Sequence, residues 1–517
     1  MINATGRIAG RFRGMNPRIR AVTDLSVPAA REWVGLHEWY DGVPGDLSKE
    51  GVRAALDRLG NGPPEADPHD EAHLAAFEAA AQVWYGELEM HRVSPGEHLD
   101  VLDLACYDRE YAPAQERAAA RHRHLAAWPE AIDRAIDTLD RVPAPTAEAV
   151  LEGIRGLAAD LVEGRDEVED AALAAHARLV GHVERLATAG DPDTALGAGG
   201  LTRLLAASEA MPVHLGDLLA LADAERDRLR GMLEEACARI APGVGTAQTV
   251  ATLLADHPDA AGVLDEAREI TAEVIAWTRD RDLVPFHDGS CQVGPAPASR
   301  QYAMAMMSWA APYEAPGPSW YHVTPPRPDW PEQSQEDWLQ VFSRTTLPVI
   351  TVHEVAPGHF SHGIALRHAG ADVRRALQGV AFVEGWAHYA EEMAVEEGFH
   401  ADDPRFAAGV AIEALVRVTR LACSIGLHTS ALTVPEAARR FEQDAFLAGP
   451  AALAEARRGT FDPTYGRYTW GKLEILRLRE EARATWGADF SLPRFHRALL
   501  DLGAPPLGLM GTAIIRG

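Results

Sequence analysis

The residues best suited to chemistry are two histidines, a glutamate beside the first of them, and an acidic stretch downstream. They stand in His353-Glu354-Val355-Ala356-Pro357-Gly358-His359 and in Phe382-Val383-Glu384-Gly385-Trp386-Ala387-His388-Tyr389-Ala390-Glu391. Imidazole nitrogens with carboxylate oxygens are the donors of a hydrolytic zinc site, and a carboxylate next to the first imidazole is placed to act on water. The short form of such a site sets its histidines four apart, on one face of a helix. Here the step is six. On a regular helix that step turns about 240°, so His353 and His359 would point about 120° apart and could not share an ion.

The intervening residues can change that. Pro357 has no N–H to bond the carbonyl of His353 and its ring crowds that carbonyl, while Gly358 adopts dihedrals that other residues avoid. A helix interrupted between the two histidines is expected. The apolar lead-in Leu347-Pro348-Val349-Ile350-Thr351-Val352 buries the approach. A desolvated run that ends in His-Glu needs a reason for its charge, and a metal site supplies one.

The combination resembles a bacterial family known as domain-of-unknown-function family 885, whose members carry H-E-x-x-P-G-H and E-G-W-A-x-Y-x-E. The likeness extends to Gly35-Leu36-His37-Glu38-Trp39-Tyr40-Asp41-Gly42 near the start and to Phe495-His496-Arg497-Ala498-Leu499-Leu500 near the end, and so spans nearly the whole chain. The resemblance implies a large helical metallopeptidase-like fold with an active-site cleft, in which a glutamate downstream of the H-E motif is the third zinc ligand.

On that reading Glu384, 25 residues after His359, is the third ligand. Glu391, about two helical turns further on and on the same face, is its rival or a hydrogen-bonding support for a histidine. His388, four residues after Glu384, shares the face and is a candidate for the same supporting role, and Trp386 is expected to fill core. Tyr468, in Tyr465-Gly466-Arg467-Tyr468-Thr469-Trp470-Gly471, matches the tyrosine that related helical metallopeptidases use to bond the oxyanion, ahead of a helix running to about Arg483. One segment departs from the family: Arg420-Leu421-Ala422-Cys423-Ser424-Ile425-Gly426-Leu427-His428 has Ser424-Ile425 in place of Asp-Thr. Arg420 and His428 remain candidates for binding a substrate carboxylate or amide.

The elements that must position these residues are helical. From about residue 111 to 280 the chain is rich in Ala, Leu, Glu and Arg with apolar positions three and four apart, and alternating strand patterns are scarce. Ser48 opens a well-punctuated helix, and Thr433-Val434-Pro435-Glu436 reads as a capping box. Between about 283 and 335 the texture changes to Pro, Gly and aromatics, which predicts irregular structure with room for a small sheet. The fold class is therefore mostly α. A helical half (1–282), a connecting segment (283–335) and a motif-bearing half (336–517) are expected to form one integrated domain.

Composition bounds the rest. The chain has 517 residues, 47% of them hydrophobic, and a formal net charge of −27, which argues against nucleic acid and anionic membranes as partners. Cys106, Cys237, Cys291 and Cys423 are scattered, with no paired spacing. The arginine-rich N-terminus, Met1 to Arg20, has no continuous apolar region and is read as carrying no export signal. A cytoplasmic location is expected.

The leading expectation is thus a zinc-dependent hydrolase of amide bonds in short peptides or a small amide substrate. Zinc (Zn2+) would be held by His353, His359 and Glu384, Glu354 would act as general base and Tyr468 would support the oxyanion. The alternatives are a non-haem iron oxygenase, since two histidines and a carboxylate also form a facial triad, and an inactive binding protein on the same fold.

Overall fold

The computed structural model of the chain describes residues 14–297, 300–301, 303–447 and 449–517. Of the N-terminal stretch read for an export signal, Arg7, Arg11 and Arg13 lie outside the described residues. Apolar runs spaced three and four apart become helices, and the predicted caps are in place. Ser48 accepts from the N–H of Gly51 ahead of helix Lys49–Leu56, and Thr433 forms a capping box with Glu436 ahead of helix Val434–Ala445.

In the N-terminal half, helices α1 (Pro68–Ala81), α2 (Pro95–Leu102), α3 (Ala144–Gly156), α4 (Glu167–Ala189) and α5 (Gly197–Glu209) precede the long helices α6 (Leu215–Ile240) and α7 (Val263–Asp280). The motif-bearing half supplies α8 (Leu347–Glu354), α9 (His359–His368), α10 (Val380–Glu396), α11 (Pro404–His428) and α12 (Arg467–Trp486). The result is mostly α, as the sequence predicts.

One apolar core runs from Leu201 to Ile514 and mixes side chains of α5 and α6 with those of α10, α11 and α12. A second, between Leu25 and Val183, is built by the N-terminal helices, with Phe461 of the motif-bearing half packed against it. Long helix α6 lies along α11, so a stretch before residue 282 is built into the core of the motif-bearing half. Lys472 of α12, fully buried, reinforces this with ion pairs to Glu225 of α6 (2.5 Å) and Glu392 of α10 (3.0 Å). A buried ammonium is tolerated only when paired in this way.

The Pro/Gly/aromatic segment contains the expected small sheet. Strands β1 (Cys291–Gly294), β2 (Ala305–Ser308) and β3 (Ser319–Val323) lie in the order β1-β3-β2, with β1 parallel and β2 antiparallel to β3. Tyr321 of the central strand is buried, and its hydroxyl meets Thr351 of α8 at 3.3 Å. The sheet therefore packs against the helix that ends in His353 and Glu354.

Candidate functional site

The predicted break is present. Helix α8 stops at Glu354 and α9 begins at His359, with a turn between them that contains the cis Ala356–Pro357 peptide. Gly358 is required by close approach: a β-carbon there would overlap the carbonyl oxygens of Val352 and His353. Trp386 fills core as expected but does more, because its indole N–H donates to the carbonyl of Pro357 at 2.8 Å and ties the turn to α10.

This bend brings His353 and His359 together with Glu384 of α10. Nε2 of each imidazole lies 3.5 Å from Glu384 Oε2, and one donor atom from each of the three residues falls within 4.8 Å of the others. Tetrahedral zinc with bonds near 2.05 Å separates its ligands by about 3.4 Å, so the donors suit such an ion in kind, and the two histidine–Glu384 separations match it in spacing. Glu354, at the end of α8, is buried, and its Oε2 has no hydrogen-bonding partner among the described residues. Burial pushes its acid group up from the usual carboxylate range, the direction a proton acceptor for neutral-pH chemistry requires.

Glu391 stands on the other side of His353. Its Oε1 accepts from His353 Nδ1 at 2.6 Å, and its Oε2 meets His388 Nδ1 at 3.1 Å and Arg417 Nη1 at 3.2 Å. With its oxygens occupied in this way, the carboxylate orients the imidazole, and Glu384 is the glutamate that faces both histidines. Burial alone would lower the His353 pKa, but the neighbouring Glu384 and Glu391 outweigh it and raise it to about 9. The same carboxylates favour any cation placed there. His388, deep in the core, is lowered to about 4 by burial and is neutral when it bonds Glu391.

Tyr468 reaches the site from α12, its ring stacked 6.5 Å from that of His353. Helices α10 and α12 can approach because Gly385 and Gly471 face each other; a β-carbon on Gly385 would sit 2.6 Å from the Gly471 backbone. Three guanidinium groups surround the phenol: Arg420 at 5.2 Å, Arg467 at 5.9 Å and Arg458 at 6.0 Å from the ring centre.

Two substrate-binding candidates have other tasks. Arg420 is forked onto Glu455 at 2.7 and 2.6 Å, so its charge is already matched. His428 is buried, lowered to about 4 by desolvation, and bonds the carbonyl of Gly459 at 2.8 Å, which makes it a loop anchor rather than a ligand-binding group. Ser424, in the segment that departs from the family, donates to the Pro463 carbonyl just ahead of Tyr465. Sequence reasoning missed Arg417. Its signal was an arginine within the apolar run Ala414-Leu415-Val416-Arg417-Val418, a charge that burial must pair.

A family model described as "Bacterial protein of unknown function (DUF885)" matches residues 28–514. Two solved structures are similar to this chain. One, from Shewanella oneidensis and described as "a putative lipoprotein of unknown function", has a TM-score of 0.74 at 19% identity and covers 96% of this chain and 99% of its own. The other, a "putative lipoprotein" from Colwellia psychrerythraea, has a TM-score of 0.78 at 17% identity and covers 96% of this chain and 97% of its own. At these identities the likeness shows the shared fold. No curated protein matches the chain.

The expected cytoplasmic location is corrected by these structures. Both of these structures share the fold and are described by the words "putative lipoprotein", so the helical fold does not place such a chain in the cytoplasm. Among the described residues no helix is long and apolar enough to cross a membrane.

Proposed function

The chain belongs to the DUF885 family of bacterial proteins, and from the site it carries we propose that it is a zinc-dependent hydrolase of amide bonds in short peptides. The observation that carries this reading is the convergence of His353, His359 and Glu384 beside a buried carboxylate, Glu354, that has an oxygen without a partner. Zinc held by these three residues would supply Lewis acidity towards a carbonyl and towards water. Glu354 accepts a proton from the attacking water and returns it to the departing amine nitrogen. Glu391, bonded to Arg417 and His388, keeps His353 turned with Nε2 towards Glu384. Tyr468 donates a hydrogen bond from its hydroxyl to the carbonyl oxygen as charge builds there.

The test is Glu354→Gln, which keeps the shape of the side chain and removes its basicity. The variant should retain about one zinc per chain by metal analysis while cleavage of a mixed peptide library, read by mass spectrometry, falls to background. Cleavage at the wild-type rate would exclude Glu354 as the base. Iron in place of zinc in protein purified without added metal would favour oxygenase chemistry instead.

A further inference from the structure

The three guanidinium groups around Tyr468 are not balanced by the acids beside them. Arg420 forks onto Glu455 at 2.7 and 2.6 Å, and Arg467 forks onto Asp462 at 2.6 and 2.8 Å, so each of these two carboxylates is matched. Arg458 is the third. It reaches Asp462 only through Nη2, at 3.3 Å and on an oxygen that Arg467 already holds. The next carboxylates on this side of the site, Glu391 and Glu413, pair with Arg417. One positive charge is left over beside the phenol.

Arg458 also has donors to spare. Its second contact, with the Tyr468 hydroxyl at 3.4 Å, uses Nη2 again, so Nε and Nη1 have no partner among the described residues, and neither nitrogen is sealed from solvent. Its side chain is 32% exposed, against 14% for Arg420 and 17% for Arg467, which makes it the guanidinium of the three that a solute reaches most easily. Such a group pairs with a carboxylate in preference to a neutral acceptor, because hydrogen bonds between ions are roughly twice as strong.

The backbone that carries this group is held in place. Arg458 ends the helix Gly449–Arg458, and the loop after it is pinned to α11 at two points, where His428 Nε2 donates to the Gly459 carbonyl at 2.8 Å and Ser424 Oγ donates to the Pro463 carbonyl at 2.5 Å. The Tyr468 hydroxyl touches Arg458, and the Tyr468 ring stacks 6.5 Å from that of His353. A carboxylate on Arg458 therefore lies close to a carbonyl bonded by Tyr468. An extended residue spans about 3.3–3.6 Å, so the two groups belong to positions one or two residues apart.

We propose that Arg458 binds the free carboxyl terminus of the peptide, so that the chain removes one or two residues from that end. The cleavage rests on the hydrolase reading; the preference for a carboxylate does not. The terminal carboxylate accepts from the spare N–H groups of Arg458 while the scissile carbonyl lies at Tyr468. Hydrolysis then adds water across that amide bond: the hydroxyl goes to the carbonyl carbon, and the proton reaches the amine of the released fragment through Glu354. A peptide amidated at its end leaves the charge of Arg458 unmatched.

Calorimetric titration of the Glu354→Gln protein with N-acetyl-tetraalanine, as the free acid and as its carboxamide, tests the anchor. The acid should bind about ten times more tightly than the amide, or better. In a chain that also carries Arg458→Met, which keeps an unbranched stem and drops the charge, that advantage should fall below about threefold while the amide stays within about twofold of its former affinity. Equal binding of acid and amide, no binding of either, or an advantage that survives Arg458→Met would overturn the proposal. So would an equal loss of both peptides in that variant, which would make Arg458 a support for the fold. With the wild-type protein, mass spectrometry of the peptide library should show fragments shortened by one or two residues at the carboxyl end, and cleavage mainly in the interior would count against the anchor in the same way. A carboxylate preference that depends on Arg458, in a protein that cleaves no peptide, would leave the anchor standing and remove the hydrolase. Cleavage without the preference would do the reverse.

Discussion

Glu391 and His353 are joined by a 2.6 Å hydrogen bond through Nδ1, on the side of the imidazole away from Glu384. The ring is thereby held in one orientation before any ion arrives, with the Nδ1 proton turned to Glu391, so that Nε2 is the nitrogen left to give up its proton to a metal. Glu391→Gln should keep the fold but weaken zinc binding about 10- to 100-fold, measured by competition with a chromophoric chelator. His353→Ala, which deletes a donor outright, should bind far less metal still. Wild-type affinity in Glu391→Gln would mean that the contact does not orient the ligand.

Tyr468→Phe should lower kcat on the order of 10²-fold while KM changes much less, because the phenol bonds the developing oxyanion better than the ground-state carbonyl. Steady-state kinetics on one cleaved peptide decide it. Unchanged kcat would make Tyr468 a packing residue held among Arg420, Arg458 and Arg467.

Gly358→Ala should destabilise the chain by about 1–3 kcal/mol, the usual cost of forcing extra volume into a packed interior, because the new methyl meets backbone oxygens that cannot swing away. The same shift should move His359 relative to His353, so zinc affinity should fall along with the urea midpoint. A variant with both quantities intact would show that the turn relaxes freely.

Glu209 should make stability depend on pH in a direction opposite to most carboxylates. Burial raises its pKa from 4.5 to about 7, against the opposing hydrogen bond from the Leu507 N–H. Below pH 4.5 both the folded and unfolded chains hold this proton, so its contribution is fully favourable there. Between pH 4.5 and 7 the unfolded chain ionises first, and stability is lost. The ceiling on that loss is about 3 kcal/mol, from 1.36 kcal/mol per pKa unit. Glu209→Gln should therefore be more stable than the wild type in urea at pH 8 and gain nothing at pH 4.5. An equal difference at both pH values would refute the assignment.

How far the sequence could be read depended on whether the signal was local. The helix break followed from Pro357-Gly358 alone, since backbone chemistry acts on adjacent residues. Choosing between Glu384 and Glu391 was beyond the sequence: seven residues apart on one helix they share a face, and only the placement of the His353 ring between them separates their roles. His428 misled because a helix position says nothing about the loop packed against it, here the carbonyl of Gly459.

The pairing of α6 with α11 sets a timetable for synthesis. When Ile240 leaves the ribosome, the helix it must lie against begins about 160 residues later, at Pro404. At ordinary elongation rates of roughly 5–20 residues per second, that is a wait of about 8–30 seconds. Throughout it, the apolar face that includes Leu229, Leu233 and Cys237 has no native partner from α11. A nascent chain of this design calls for a chaperone at mid-length, and truncations that end between residues 240 and 404 should accumulate as aggregate.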